Sequence, residues 1–179
     1  MHHIKVPGPR TIRTDSRSRK TPMNPAKHRT TRNDEYWMRQ ALAQAREALA
    51  TGDVPIGAVA VYAGECIGQG YNRREADHDP TAHAEIIALR QAGQHLGKWR
   101  LDGVTLYCTL EPCCMCAGAM IQARLPRLVY GSLDLKAGCA GSIVDILRHP
   151  SLNHQVDVDV GLLADESSAL LQAFFKGLR

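Results

Sequence analysis

His83 and Glu85 stand two residues apart in Thr81-Ala82-His83-Ala84-Glu85, and Cys113 and Cys116 stand three apart in Glu111-Pro112-Cys113-Cys114-Met115-Cys116. One imidazole and two thiolates form a donor set that suits zinc. Three protein ligands rather than four mark a catalytic zinc, because water completes the tetrahedron. Residues three apart on a helix lie about 60° from each other, so Cys113 and Cys116 can grip one ion, whereas Cys114 lies about 100° round from Cys113 and points elsewhere. A helix start also favours thiolate, since unpaired N–H groups and the dipole stabilise negative charge there. Glu85 is about 200° round a regular helix from His83, so both side chains reach one pocket only from the first turn or two. A carboxylate in that position can take a proton from water polarised by the metal and deliver it to a leaving group.

Each piece alone is weak. A lone Cys-x-x-Cys is as often structural or incidental, a His at a polar helix start is more often a surface residue, and a Glu in a helix is usually just solvated. A structural zinc needs a fourth ligand, and Cys66, Cys108 and Cys139 are isolated single residues. The catalytic reading rests on the two fragments occurring together.

The surrounding pattern supplies elements to carry these fragments. Trp37, Ala41, Ala45 and Ala48, with Met38, Leu42 and Leu49, recur at helical spacing and predict a first helix from 34 to about 50, ended by Gly52. Residues 56–62 and 66–71 predict a β-hairpin turning at Ala63-Gly64. Pro80 suits the first turn of a second helix, with Asp79 as its cap, running to about 91. A strand at 104–110 leads through Pro112 into a third helix at 113 to about 123, then a short strand at 128–130. A Gly-rich stretch at 131–141 precedes a short helix ending near His149-Pro150, then a strand at 156–160 and a last helix at 166–176. Strands alternating with helices predict an α/β fold, a three-layer α/β/α sandwich around one mixed five-stranded sheet.

With 179 residues there is room for one domain with a self-sufficient core. No apolar run approaches the roughly 18 residues needed to span a bilayer, and no apolar signal-peptide core stands near the N-terminus. Six cysteines in such a chain read as reduced thiols or metal ligands rather than a disulfide framework, so a reducing, cytoplasmic setting is expected. The net charge of +4 is unevenly spread: residues 1–33 hold nine Lys or Arg against Asp15, giving +8, and the other 13 basic and 17 acidic side chains give −4. The first 33 residues, with Pro7, Pro9, Pro22 and Pro25 and almost no apolar periodicity, predict a disordered basic tail ahead of a domain at 34–179. A basic RNA-attracting arm, a chain that really starts at Met23, and an Arg-rich targeting peptide all fit that tail.

The pattern His-x-Glu followed by Pro-Cys-x-x-Cys is the zinc deaminase signature. Asp79-Pro80-Thr81-Ala82-His83-Ala84-Glu85-Ile86, Thr109-Leu110-Glu111-Pro112-Cys113, Met115-Cys116-Ala117-Gly118-Ala119-Met120-Ile121 and Leu163-Ala164-Asp165-Glu166 resemble the bacterial tRNA-specific adenosine deaminases, as does Glu35-Tyr36-Trp37-Met38-Arg39. These belong to the cytidine deaminase-like superfamily. The resemblance covers about residues 34–179. It implies one zinc ion on His83, Cys113 and Cys116, with Glu85 as proton shuttle for attack of water on C6 of adenine, proton delivery to N1 and departure of ammonia. It further implies Asn72, Ile56, Ala84, Asp134 and Phe175 as substrate-binding positions, Asn72 bonding the base, Ile56 packing on it and Asp134 approaching the ribose 2′-OH. The product would be inosine at the wobble position (34) of the tRNA anticodon stem-loop, and the expected assembly is a homodimer. As bare residues, Asn72 reads as a turn former, Ile56 as a strand residue and Asp134 as a solvated loop acid. The family's last helix commonly ends in a basic run after two Phe; here only Lys176 and Arg179 follow Phe174-Phe175. Two other functions share parts of the pattern: deamination of a free small molecule such as guanine or cytidine, and a non-enzymatic zinc-stabilised RNA-binding module. The carboxylate of Glu85 argues against the second, because structural zinc has no use for it.

Overall fold

Apolar residues spaced three and four apart build α1 (Arg32–Glu47), which a 3-10 turn at Ala48–Thr51 brings to an end. Gly52 closes that turn in the left-handed region, φ 76°, where its N–H reaches the Ala48 and Leu49 carbonyls and a side chain would be strained. The structure, a computed structural model, describes residues 32–178; the predicted tail lies outside the described residues except at its last two positions.

Strands β1 (Gly57–Tyr62) and β2 (Glu65–Tyr71) form the hairpin, with Ala63 and Gly64 both at positive φ as a two-residue turn of this hand requires. β3 (Val104–Leu110), β4 (Arg127–Ser132) and β5 (Asp157–Val160) extend it into a five-stranded sheet of order β2-β1-β3-β4-β5. β1 runs antiparallel to both neighbours, and β3, β4 and β5 run parallel. The sheet is therefore mixed. Between the strands lie α2 (Ala84–Leu96) and α3 (Cys114–Gln122), and α4 (Ala164–Gly177) follows β5.

Period-two alternation divides the core between the two faces. Ala58, Ala60, Leu106, Cys108, Leu128 and Tyr130 face α2 and α3 in the larger cluster. Val59, Val61, Tyr107 and Val129 face the other way, against Met38 and Ala41 of α1 and the Leu162-Leu163 approach to α4. This is the expected three-layer sandwich. On the α1 side the layers are also pinned by Arg127, which donates to Asp34 at 2.7 Å and to Asp159 at 2.6 Å.

Two local expectations fail. The second helix starts at Ala84, not Pro80, because the Asp79 carboxylate takes the Thr81 N–H and hydroxyl, both at 2.7 Å, and so closes a turn of its own instead of capping a helix. The short helix ahead of His149-Pro150 is absent; residues 133–156 are turns, braced by isolated bridges between Cys113 and Gly138 and between Ala140 and Asp145.

Gly70 lets α2 approach the hairpin closely. A Cβ there would meet the Ile87 side chain at 2.8 Å and the Ala84 carbonyl at 2.9 Å, the first turn of α2. Gly70→Ala is expected to lower unfolding free energy by about 2 kcal/mol, as overpacking does. Urea denaturation measures this, and an unchanged midpoint would show that α2 can shift freely.

Candidate active site

Each of the two chemistry-bearing helices begins one residue after a donor. His83 is the N-cap of α2, extended at φ −77° and ψ 149°, and Cys113 is the N-cap of α3 at φ −73° and ψ 174°. Extended caps free each side chain to turn across the helix end rather than along its flank. Cys116, one turn into α3, is fully buried beneath them. The three donor atoms form a triangle: Cys113 Sγ to Cys116 Sγ is 3.8 Å, and His83 Nδ1 lies 3.6 Å from Cys113 Sγ and 3.5 Å from Cys116 Sγ. Tetrahedral zinc with ordinary Zn–S and Zn–N bonds requires edges of about 3.8 Å between sulfurs and about 3.6 Å from sulfur to nitrogen. The residues present fit the ion.

Glu85 is 4% exposed in the first turn of α2. Burial pushes its carboxyl pKa up, partly opposed by its own backbone and by His83. The two thiols are shifted in opposite directions. Cys113 is pushed down to about 3, first by the hydrogen bond from Cys116 and then by His83, against the effect of burial. Cys116 is pushed up by that same bond, by burial and by nearby Glu85. The hydrogen bond to Cys113 raises His83 against the cost of burial. The cluster thus offers a divalent cation two sulfur donors and one imidazole, next to a buried carboxyl suited to proton transfer.

The other expected residues are distributed less uniformly. Ala84, fully buried, directly follows His83. Asn72, 5% exposed just beyond β2, receives the Ala82-side loop in its neighbourhood: its own N–H donates to Ile56 O at 2.9 Å, Nδ2 donates to Val54 O at 3.3 Å, and the N–H of the next residue, Arg73, donates to Ala82 O at 2.9 Å. Ile56 precedes β1 and packs against the larger core. This joins Asn72 and Ile56 to the approach to α2. Asp134 follows β4; its Oδ1 accepts the N–H groups of Lys136 and Ala137, so the carboxylate shapes its own turn. Phe175 is half-exposed on α4, edge to face with Phe174, and no hydrogen bond or ring contact links it to the His83 cluster.

Three features escaped the sequence. Asp53, fully buried, accepts the N–H groups of Glu75 and Ala76 and so shapes the loop leading to α2. Glu111, 2% exposed, gathers the loop after β4. Cys114 and Cys139 are joined in a disulfide with Cα atoms 5.1 Å apart, which corrects the expectation of thiols or metal ligands for that pair. The Cys114 side chain does point away from the metal triangle. Twenty-five residues of sequence separate the two, and only the fold brings them together.

Comparison with known proteins agrees with this geometry. The MafB19-like deaminase family model matches residues 32–179. A tRNA-specific adenosine deaminase of Bacillus subtilis is 45% identical over 146 residues, covering 82% of this chain and 91% of its own length. One from Haemophilus influenzae is 47% identical over 147 residues, covering 82% and 85%. A solved structure from studies of A-to-I editing by tRNA:A34 deaminases superposes with a TM-score of 0.73 at 46% identity, covering 76% of this chain and 99% of that one. A guanine deaminase from Nitrosomonas europaea gives 0.67 at 27% identity, covering 78% and 83%. With its deaminase domain and these extended identities, the chain belongs to the tRNA-specific adenosine deaminase family.

Proposed function

We infer that this chain hydrolyses adenosine to inosine at the wobble position (34) of tRNA, using zinc held by His83, Cys113 and Cys116. The observation that carries this reading is the donor triangle of tetrahedral dimensions with buried Glu85 beside it. Zinc, when bound, lowers the pKa of water to about 7 and so supplies a nucleophile at neutral pH. Glu85 takes the proton that water gives up and delivers it to N1 of the purine as C6 is attacked; it then takes the proton of the new C6 hydroxyl and passes it to the amino group, which leaves as ammonia while the C6 carbonyl forms. Its dry surroundings raise its pKa toward the range where it both accepts and donates.

Asn72 orients the base through its amide, Ile56 and Ala84 supply apolar walls, and Asp134 meets the ribose 2′-OH, which distinguishes RNA from DNA. Phe175 contacts the RNA from α4, outside the pocket. The anticodon stem-loop suits such a site because its unstacked bases cost little to turn outward. The domain at 34–179 does this work, and the basic segment before it adds phosphate attraction; deleting residues 1–22 is expected to weaken RNA binding and flatten its salt dependence. The working form is a homodimer, consistent with an apolar groove between α2 and α3 lined by Ile86, Leu89, Ala119 and Ala123 and flanked by Trp99, 65% exposed. Among the described residues no helix is long and apolar enough to cross a membrane, in keeping with work on tRNA in the cytoplasm.

Guanine, cytidine, free adenosine and an anticodon stem-loop RNA, incubated side by side, test the reading. Inosine is expected in the stem-loop, at a kcat/KM at least about a hundredfold above any free compound, because remote contacts contribute to transition-state binding. Preferential turnover of guanine would move the chain to the free-base deaminases.

A further inference from the structure

Glu111 is the last residue before Pro112 and the metal-ligand segment, and it makes no hydrogen bond to His83, Cys113 or Cys116. Its Oε1 accepts the N–H groups of Ala140 at 3.1 Å and Ser142 at 3.0 Å. Its Oε2 accepts the N–H of Asp134 at 3.0 Å and, in a shorter bond, the Ser142 hydroxyl. An ionised carboxylate offers about four acceptor sites and no donor. All four are taken, and every partner lies in one loop, residues 134–142. The backbone of the same short segment repeats the attachment: Glu111 N–H donates to Ser132 O at 2.9 Å, and Cys139 N–H donates to Pro112 O at 2.8 Å. Gly138 has no room for a Cβ, which would strike the Glu111 carboxyl group.

We propose that Glu111 is a positioning residue that couples the substrate loop to the metal-ligand helix, fixing Asp134 relative to Cys113 without touching substrate or metal. The proposal rests on the RNA-deaminase reading only for what the loop then does, which is to meet the ribose. Buried hydrogen bonds to a charged group are among the stronger ones, and their loss leaves donors unsatisfied. An amide in place of the carboxylate cannot serve all four donors. In its better orientation, with oxygen toward Ala140 and Ser142, its NH₂ faces the Ser142 hydroxyl, which can turn to accept, and the Asp134 N–H, which cannot. The isosteric change thus releases the loop at Asp134 in particular.

Glu111→Gln is therefore expected to keep one zinc per chain while raising KM for an anticodon stem-loop about tenfold, with kcat within about threefold of wild type. Amide exchange followed by NMR should speed up at Asp134 by about tenfold or more, with Met38 and Leu42 of α1 unchanged. Unchanged KM and exchange, or a variant that loses its zinc, would overturn the proposal. Should Glu111→Gln fail to fold, Ser142→Ala removes a single bond from a partly exposed residue and should raise KM about threefold; no change would equally overturn it. A wild-type chain inactive on RNA sinks the functional assignment alone, because the exchange measurement still decides what Glu111 holds.

Discussion

Glu85→Gln is expected to lower kcat for stem-loop deamination by about 10²–10⁴-fold while KM and zinc content stay near wild type. Glutamine keeps the shape and length of glutamate, so the pocket and its contacts to RNA survive. What it lacks is the ability to take a proton from water and pass it to N1. Glu85 is 4% exposed, and burial already disfavours its charged form. Replacing it with a neutral amide removes that cost, so thermal stability should hold or rise slightly, as often happens when a strained functional group is neutralised. Single-turnover kinetics with metal analysis on the same sample check both halves. Substantial activity in Glu85→Gln would mean that another group moves the proton.

Cys116→Ser is expected to abolish zinc binding and with it activity, by about 10⁴-fold or more, since several kcal/mol of transition-state stabilisation leave with the metal. Cys116 is fully buried at the base of the donor triangle, and a hydroxyl there gives neither the reach nor the softness of sulfur. Removing it leaves only Cys113 and His83. Because ligand binding to the folded state adds stability, the variant should melt where chelator-treated wild type melts, below the zinc-loaded protein. A variant that melted with zinc-loaded wild type would show that the metal, or this ligand, contributes nothing to the fold.

How much of this was legible in the sequence varies residue by residue. The stripe from Met38 to Ala48 announces α1, and the segments 56–62 and 66–71 either side of Ala63-Gly64 announce the hairpin; that its first strand is covered on both faces comes only from the fold. His83, Cys113 and Cys116 were readable as one donor set because metal chemistry demands particular donors at close spacing, and the fold brings the two fragments within 4 Å. Helix starts were not. Pro80 suits a first turn, yet the Asp79 turn takes the same backbone and moves the start to Ala84, and this shift is what makes His83 a cap able to face the sulfurs. Glu111 left no signal beyond its place in a motif, because its partners are backbone N–H groups that any residue can offer. Nor could Cys114 and Cys139 be paired by spacing; their approach depends on the loop crossing the start of α3.

X-ray absorption at the zinc edge on protein purified with its native metal addresses the centre directly. Two sulfur scatterers at about 2.3 Å, one imidazole nitrogen at about 2.0–2.1 Å and one further light atom are expected, at one ion per chain. Four sulfurs, or no zinc in a sample that still makes inosine, would contradict the account.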